Sequence, residues 1–254
     1  NVLYCMDNET SGRPEWGAYW SSYIRNRAEE QGVKIQTTEM WDPWDLSHPM
    51  HRNTLDHPDL YSFVDISQNN HQSGQSHWDN MQRYRARLVA QPRPINCVKV
   101  YGADSGRFGT DRDGIERFWR NLFGGLAATR FHRPDSGQGL NDRAVAQIRA
   151  ARMLVEAFDF HRAEPDAEGK ALAQRQENEA YFTRIPGERF AVLFTDGGVV
   201  DLDLSGVDGP LDLRWLDVSE GRWREAGTVE GNAKVSLEAP GSGIWVALLV
   251  HASS

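Results

Sequence analysis

The feature that most constrains the fold is a change of hydrophobic pattern after about residue 162. Before it, short runs rich in β-branched and aromatic residues alternate with amphipathic helical stretches, which is typical of a parallel sheet built from βα units. The predicted strands are residues 2–7, 33–40, 61–67, 95–101 and 125–131. After residue 179, apolar residues alternate with polar ones between turn signals such as Asp208-Gly209-Pro210, which predicts antiparallel strands.

Helical periodicity marks the segments between the predicted strands. The first helix ends at Gly32 and has one marked stripe, formed by Trp16, Trp20, Tyr23, Ile24 and Arg27. Further helices are predicted at 78–89 and 114–122. A last helix begins at Asn141 or Asp142, and its spacing predicts that it buries Val145, Ile148, Val155 and Phe158.

The five predicted βα units form an α/β fold, and five units do not close an eight-stranded barrel. We expect a partial (β/α)8 TIM barrel, about strands 4 to 8, with strands one to three upstream of Asn1; an open, doubly wound sheet is the rival. The barrel is favoured because every strand end carries a polar, aromatic-rich loop, and in a barrel these loops converge on one face. Residues 1–162 are therefore assigned to the barrel, 163–179 to a linker or connecting helix, and 180–254 to a small β-sandwich.

Composition excludes several classes of function. The formal net charge is −8, from 36 acidic and 28 basic residues, and no basic run stands out, so a nucleic-acid partner is not expected. No stretch reaches the roughly 18 apolar residues of a membrane-spanning helix. Neither a Gly-rich phosphate loop nor a Gly-x-Ser-x-Gly motif occurs, and no cofactor is predicted. The chain contains nine Trp and seven Tyr, whose flat aromatic rings suit the apolar faces of sugars.

Asn8-Glu9, at the end of the first predicted strand, is the most informative pair. A carboxyl group at a barrel mouth can be kept protonated by apolar neighbours and can then protonate a glycosidic oxygen. Glu9 is accordingly predicted to be the general acid/base, and Asn8 to orient the sugar through a hydroxyl. A solvated loop acid is the alternative interpretation of Glu9.

Sugar hydrolysis needs a second carboxylate, about 5 to 5.5 Å from the first for retention of configuration and about 6.5 to 9.5 Å for inversion. Three acids at or near strand ends compete for this role: Asp104, Glu39 and Asp65. Each of them is alternatively a structural partner of Arg130 or Lys99, because an inward-pointing acid must be paired or hydrogen-bonded.

The same strand-end loops supply the predicted substrate contacts. His71 and His132 are candidates to hold sugar hydroxyls. The full predicted set is Asn8, Glu39, Trp41, Asp65, His71, Lys99, Arg130 and His132. No metal site is predicted, because the spacing of the three histidines between residues 48 and 57 matches no ligand pattern.

The chain also resembles a known family. The relevant features are Asn8-Glu9, the run Arg117-Phe118-Trp119-Arg120 to Gly124-Gly125, the strand 128–134, and the Trp215-x-Asp217 to Gly221-x-Trp223 turn. They are similar to the apiosidase-like, DUF4038-type glycoside hydrolases of clan A, whose barrel is followed by a small β-sandwich often labelled a putative collagen-binding domain.

This resemblance implies a set of roles. Clan A enzymes carry the acid/base after the fourth barrel strand and the nucleophile at the end of the seventh, which implies Glu9 for the first role. The alignment puts Lys99 where the acidic nucleophile would stand, and Asp104 is the nearest acid, five positions on. The resemblance also implies an extracellular or periplasmic location.

The sequence therefore predicts a glycoside hydrolase with Glu9 as acid/base and Asp104 as nucleophile or base, acting on a polysaccharide or oligosaccharide. The alternative is a non-catalytic carbohydrate-binding protein in which Lys99 has replaced the nucleophile. A metal-dependent barrel hydrolase is a third possibility, and it would need histidines gathered at strand ends.

Overall fold

The computed structural model describes residues 2–100, 109–130, 141–175 and 180–252, which form two compact units. The first unit contains the described residues up to Val100 together with Leu126–Arg130, and the second contains the remainder. Within these described ranges, no helix has the length and apolar character needed to cross a membrane.

The first unit contains five short strands in two parallel groups. Strands β1 (Leu3–Cys5) and β2 (Gln36–Thr38) pair with each other, and β3 (Val64–Asp65), β4 (Ile95–Cys97) and β5 (Ala128–Thr129) form the second group in that order. Parallel neighbours need crossover connections, which are usually helical, as the alternating pattern predicts.

The helices of this unit are α1 (Pro14–Glu30), α2 (Arg52–Leu55) and α3 (Gly74–Arg87), with 3-10 turns at Pro49–His51 and Ser67–His71. Proline suits the first turn of α1 because the amide hydrogen it lacks would have no helical partner there. The chain reverses after α1 at Gly32, whose φ of 69° favours glycine.

A small-residue face of α1 packs against the β2 region. The Ser21 hydroxyl lies 2.6 Å from the carbonyl oxygen of Leu60 and 3.1 Å from Oγ1 of Thr37. Both side chains are fully buried, and Gly17 is buried on the same face. The hydrophobic core of the unit contains large buried side chains, among them Trp41, Tyr61, Ile66, Trp78 and Met81.

Two helices belong to the second unit. Helix α4 (Asp111–Phe123) starts with a capping box between Thr110 and Asp113, and α5 (Asp142–Ala157) starts at Asn141, whose side chain accepts a hydrogen bond from the Ala144 amide at 2.8 Å.

The buried face of α5 differs from the predicted one. Gln147 is buried because its side-chain oxygen accepts a hydrogen bond from the indole of Trp119 in α4, at 2.6 Å. Val145 and Val155 are exposed, whereas Phe158, which follows the helix, is buried as predicted. The face that packs inward is instead formed by Ala144, Gln147, Ala150 and Leu154.

The strands of the second unit form two antiparallel sheets. They are β6 (Glu164–Pro165), β7 (Leu172–Ala173), β8 (Ala180–Ile185), β9 (Arg189–Phe194), β10 (Val199–Asp203), β11 (Pro210–Asp217), β12 (Arg222–Glu230), β13 (Lys234–Glu238) and β14 (Trp245–His251). The larger sheet has the order β12-β11-β14-β9-β8-β6, and the smaller has the order β13-β10-β7.

One hydrophobic cluster takes residues from both sheets, among them Phe194, Trp215 and Leu249 from the larger and Val200 and Leu237 from the smaller. Two sheets that share a core are consistent with the predicted sandwich.

Two short strands within the described part of the stretch interpreted above as a linker or connecting helix contribute to these sheets. Glu164–Pro165 pairs with β8, and Leu172–Ala173 pairs with β10. Strands of two residues are too short to show a hydrophobic period, so they could not be predicted from the sequence. The charged composition of the segment indicated a linker instead. The whole is a mixed α/β protein whose first unit is consistent with part of a (β/α) barrel.

Candidate active site

Glu9 lies just beyond β1 in an unusual backbone conformation. Its φ is 54°, in the left-handed region that residues other than glycine seldom adopt. The β1–β2 pairing resumes one residue later as a bridge between Thr10 and Trp41. The Glu9 side chain is 41% exposed, and Asn8 beside it is also exposed. The predicted pair therefore stands at a strand end with access to solvent.

Lys99 reaches Glu9 from a different strand end. It follows β4, and its ammonium nitrogen forms an ion pair with Oε1 of Glu9. The Lys99 side chain is only 12% exposed, so most of its stem is covered while its charge meets the carboxylate. The predicted convergence of strand-end loops is thus present for these two residues.

Gln68 is a third member of the site and was not predicted. It lies in the 3-10 turn after β3 and is buried. Its amide nitrogen donates to the Asp42 carbonyl at 2.9 Å and lies 3.4 Å from Oε1 of Glu9. It therefore links the loops that follow β1, β2 and β3. Nothing in the sequence distinguishes Gln68 from its polar neighbours.

Asp65 lies at the end of β3, next to Asn96 in the parallel register. Its Oδ1 accepts a hydrogen bond from the Ser67 amide at 2.7 Å. Burial raises the pKa of the Asp65 carboxyl, and hydrogen bonds from Ser67 and Asn96 and the positive charge of Lys99 offset part of that rise. Lys99 therefore acts electrostatically on both Asp65 and Glu9.

Glu39 requires a correction, because its side chain is buried and has almost no access to solvent. Its carboxylate is buried against α1, so close to Gly17 that a Cβ there would lie 2.2 Å from Oε1. Oε2 accepts a hydrogen bond from the Tyr61 hydroxyl at 2.7 Å. Burial raises the pKa of Glu39, the Tyr61 hydroxyl lowers it in part, and the negative charge of Asp7 raises it further. Glu39 is a buried structural acid beneath a helix.

Trp41 also departs from its predicted role. The side chain is 1% exposed, and its indole nitrogen donates to Oγ1 of Thr54 at 3.0 Å. A ring enclosed in this way offers no face to a sugar. It belongs to the core because both faces of this segment are covered, and every side chain from Thr37 to Trp41 is buried.

Two other predicted contacts are exposed. His71 ends the 3-10 turn after β3, and Arg130 directly follows β5. Asp104 and His132 lie outside the described residues. In the part of the chain that is described, no three ligand-type side chains are gathered as a metal site would require.

Comparison with known proteins shows similarity of fold to solved structures, without a match in sequence. No protein family and no curated protein matches the sequence. Among solved structures, a protein named as a glycoside hydrolase matches with a TM-score of 0.66 and 14% identity, over 95% of this chain and 70% of that one.

Two further structures agree. A glycoside hydrolase family 5 protein from Bacteroides vulgatus ATCC 8482 has a TM-score of 0.65 and 14% identity, over 94% of this chain and 66% of its own. Alpha-galactosidase I from Mortierella vinacea has a TM-score of 0.56 and 10% identity, over 100% and 69%. The chain thus shares its fold with glycoside hydrolases and spans about two thirds of their length.

Proposed function

We propose that this protein is a glycoside hydrolase that cleaves polysaccharide or oligosaccharide by two-carboxylate chemistry, with Glu9 as general acid/base. The observation that carries the proposal is the Glu9 carboxylate itself. It is accessible to solvent at a strand end and is contacted by Lys99 and Gln68 from two other strand ends, in a chain with the fold of glycosidases. Such a rim is where barrel enzymes carry their chemistry.

Lys99 imposes an order of events on that chemistry. The ammonium group of Lys99 occupies Oε1 of Glu9, which keeps that oxygen from meeting a leaving-group oxygen. The bound sugar must therefore draw Lys99 away from Glu9 before protonation of the leaving oxygen. Gln68, whose amide nitrogen lies 3.4 Å from the same Oε1, keeps its hydrogen bond to the Asp42 carbonyl and stays beside the carboxylate during this step.

For the second carboxylate we retain Asp104, which the family resemblance implies. Among the described acids, Asp65 is the alternative candidate for the second carboxylate, because Lys99 interacts with it electrostatically. Its carboxylate already accepts hydrogen bonds from Ser67 and Asn96, however, and its side chain is buried. We assign Asp65 to holding Lys99 in position by electrostatic attraction. Glu39 has no part in the reaction. The remaining predicted sugar contacts are Asn8, His71, Arg130 and His132.

The finer assignments follow from the same resemblance. The first unit is interpreted as part of a clan A barrel of the apiosidase-like type, and the two sheets of the second unit as its β-sandwich accessory domain. The partner is a carbohydrate, and the location is extracellular or periplasmic.

The deciding experiment is Glu9→Gln, assayed on a panel of aryl glycosides with activated leaving groups. We expect turnover to fall by several orders of magnitude, because general acid/base catalysis and the charge of the carboxylate are both lost. Glu15→Gln, an exposed acid in the first turn of α1, is the matched control and should leave the rate unchanged. Wild-type turnover in the Glu9→Gln protein would end the assignment.

The ion pair between Lys99 and Glu9 also favours a second candidate, a carbohydrate-binding protein without catalysis. In that protein Lys99 stands in place of the nucleophile and neutralises the remaining acid. Wild-type protein would then bind oligosaccharide in calorimetry without releasing a product, and Lys99→Glu would gain hydrolysis. Hydrolysis by the wild type that Lys99→Glu abolishes would exclude it.

A further inference from the structure

Lys99 interacts with two carboxyl groups that differ in their access to solvent. It forms an ion pair with Oε1 of Glu9, whose side chain is 41% exposed. Its charge also acts on Asp65, which is buried. The Lys99 side chain itself is only 12% exposed. Lys99 therefore has one acidic neighbour that is enclosed and one that a ligand can reach.

The enclosure of Lys99 limits which group of a ligand can separate it from Glu9. A largely covered ammonium group is costly to leave without an anionic partner. A hydrogen bond between ions is roughly twice as strong as one between neutral groups, so a neutral sugar hydroxyl binds Lys99 more weakly than the Glu9 carboxylate does. A carboxylate on the ligand replaces Glu9 like for like. The exchange then makes Oε1 of Glu9 available to the leaving-group oxygen.

A second basic side chain lies at the neighbouring strand end. Arg130 directly follows β5 and is exposed. Strand β5 pairs with β4 in parallel, with Thr129 level with Cys97, so Arg130 is level with the residue before Lys99. Adjacent strands lie about 4.8 Å apart, which brings both basic residues within reach of one ligand group. A guanidinium group binds a carboxylate through two parallel hydrogen bonds.

We infer that the substrate is an acidic oligosaccharide or polysaccharide containing uronic acid units, and that Lys99 and Arg130 bind the carboxylate of one such unit. That carboxylate replaces Glu9 as the partner of Lys99 and leaves Glu9 beside the glycosidic oxygen. The inference rests on the proposed function and names the substrate class of the same site. Because the chain has a net charge of −8, a preference for acidic sugars depends on these local cations and not on the overall charge.

Matched substrates test the inference. Uronic acid oligosaccharides with several backbones are compared with the same oligosaccharides after their carboxylates have been reduced to primary alcohols. The value of kcat/KM is measured for each form from the release of new reducing ends. We expect kcat/KM to be at least about tenfold higher for the acidic form, because only that form offers Lys99 an ionic partner. The ratio of the two values is the acid preference.

Substitutions of Lys99 show whether this residue causes the acid preference. Lys99→Met removes the charge at a similar side-chain length and should bring the preference close to one, since any effect on both substrate forms cancels in the ratio. Lys99→Arg keeps the charge and should keep a preference above one, and Arg130→Met should lower the preference in part. Lys34→Met, at an exposed lysine ahead of β2, is the control and should leave it at the wild-type value.

Equal kcat/KM values for the two forms in the wild type would overturn the inference and leave the proposed hydrolysis in place. An acid preference that survives in Lys99→Met would also overturn it. If that variant does not fold, the wild-type preference is measured between about 0.02 and 0.5 M salt, where screening should lower it. An unchanged preference over that range would contradict recognition by charge.

A binding measurement separates this inference from the proposed function. If no substrate releases a product, hydrolysis is excluded, and calorimetry with the same pairs of oligosaccharides decides whether the site recognises a carboxylate. The acidic form must then bind the wild type more tightly than the reduced form does, and Lys99→Met must remove the difference. Equal binding of the two forms, or binding of neither, would overturn the inference.

Discussion

The two units of the molecule use their buried space differently. The second unit encloses a hydrophobic cluster between two antiparallel sheets, most of whose strands run for five to nine residues, and its buried polar groups include Arg120 and Gln147 of its helices. The first unit has strands of two or three residues and buries Glu39, Asp65 and Gln68 at or just after the ends of those strands. The described sheets of the second unit thus enclose apolar side chains, whereas the strand ends of the first hold polar groups where chemistry is proposed.

The largest expected effect on stability concerns the hydrophobic cluster of the second unit. Phe194→Ala in β9 should lower the free energy of unfolding by about 3 to 5 kcal/mol, the usual cost of removing a buried aromatic ring. Phe194 is fully buried, and its ring centroid lies 5.3 Å from that of Trp215. The measurement is urea unfolding followed by circular dichroism.

Val89→Ala is the control for this substitution, since Val89 is exposed and should change the free energy of unfolding by less than about 0.5 kcal/mol. A loss below about 1 kcal/mol for Phe194→Ala would mean that the shared core contributes far less than its burial indicates.

The contrast also separates what the sequence could predict from what it could not. Strands β8 to β11, β13 and β14 were predicted because alternation over five or more residues is a strong signal, whereas β12 and the two-residue strands β6 and β7 were not. The short parallel strands were found from their position between helices, and the meeting of Glu9 with Lys99 followed from the rule that strand-end loops converge.

Side-chain direction was the part that the sequence could not supply. Glu39 and Trp41 follow β2 in a segment that is buried on both faces, because Tyr61 and Thr54, which come later in the chain, cover them. The same limit applied to α5, where the buried face contains Gln147 instead of Val145, because Trp119 supplies a hydrogen-bond partner from another helix. Long-range partners of this kind leave no local pattern.

A second prediction tests the polar packing of the first unit. An alanine in place of glycine inside a helix normally stabilises it by about 0.5 to 1 kcal/mol. Gly17→Ala should instead destabilise the protein by about 1 to 3 kcal/mol, because the new methyl group would overlap the Glu39 carboxylate, which is buried and held by Tyr61. Urea unfolding measures the change.

A double-mutant cycle with Glu39→Ala isolates the overlap, since Gly17→Ala should cost little once the carboxylate is gone. Asn26→Ala, at an exposed position of the same helix, is the control for helix propensity. Equal costs of Gly17→Ala in both backgrounds would show that the glycine serves another purpose than making room for Glu39.

The smallest expected effect concerns the charge of Glu39. Burial raises the pKa of this carboxyl above its unfolded value of about 4.3, so its contribution to stability is complete below that pH and is lost as the pH rises through the folded pKa. Glu39→Gln keeps a neutral group of the same shape that still accepts the Tyr61 hydrogen bond. It should therefore raise the free energy of unfolding at pH 7.5 by up to about 1 kcal/mol and leave it nearly unchanged at pH 4.

The difference between the variant and the wild type at each pH is the quantity to measure, because the raised pKa of Asp65 gives both proteins a pH dependence of the same sign. Glu15→Gln, an exposed acid, should show no such difference between the two pH values. If Glu39→Gln lowered stability at pH 7.5 more than at pH 4, the carboxylate would be a favourable buried charge. The first unit would then bury acids as stabilising pairs with their neighbours, and its contrast with the hydrophobic cluster of the second unit would lie in the partners of the buried groups instead of in the cost of burying them.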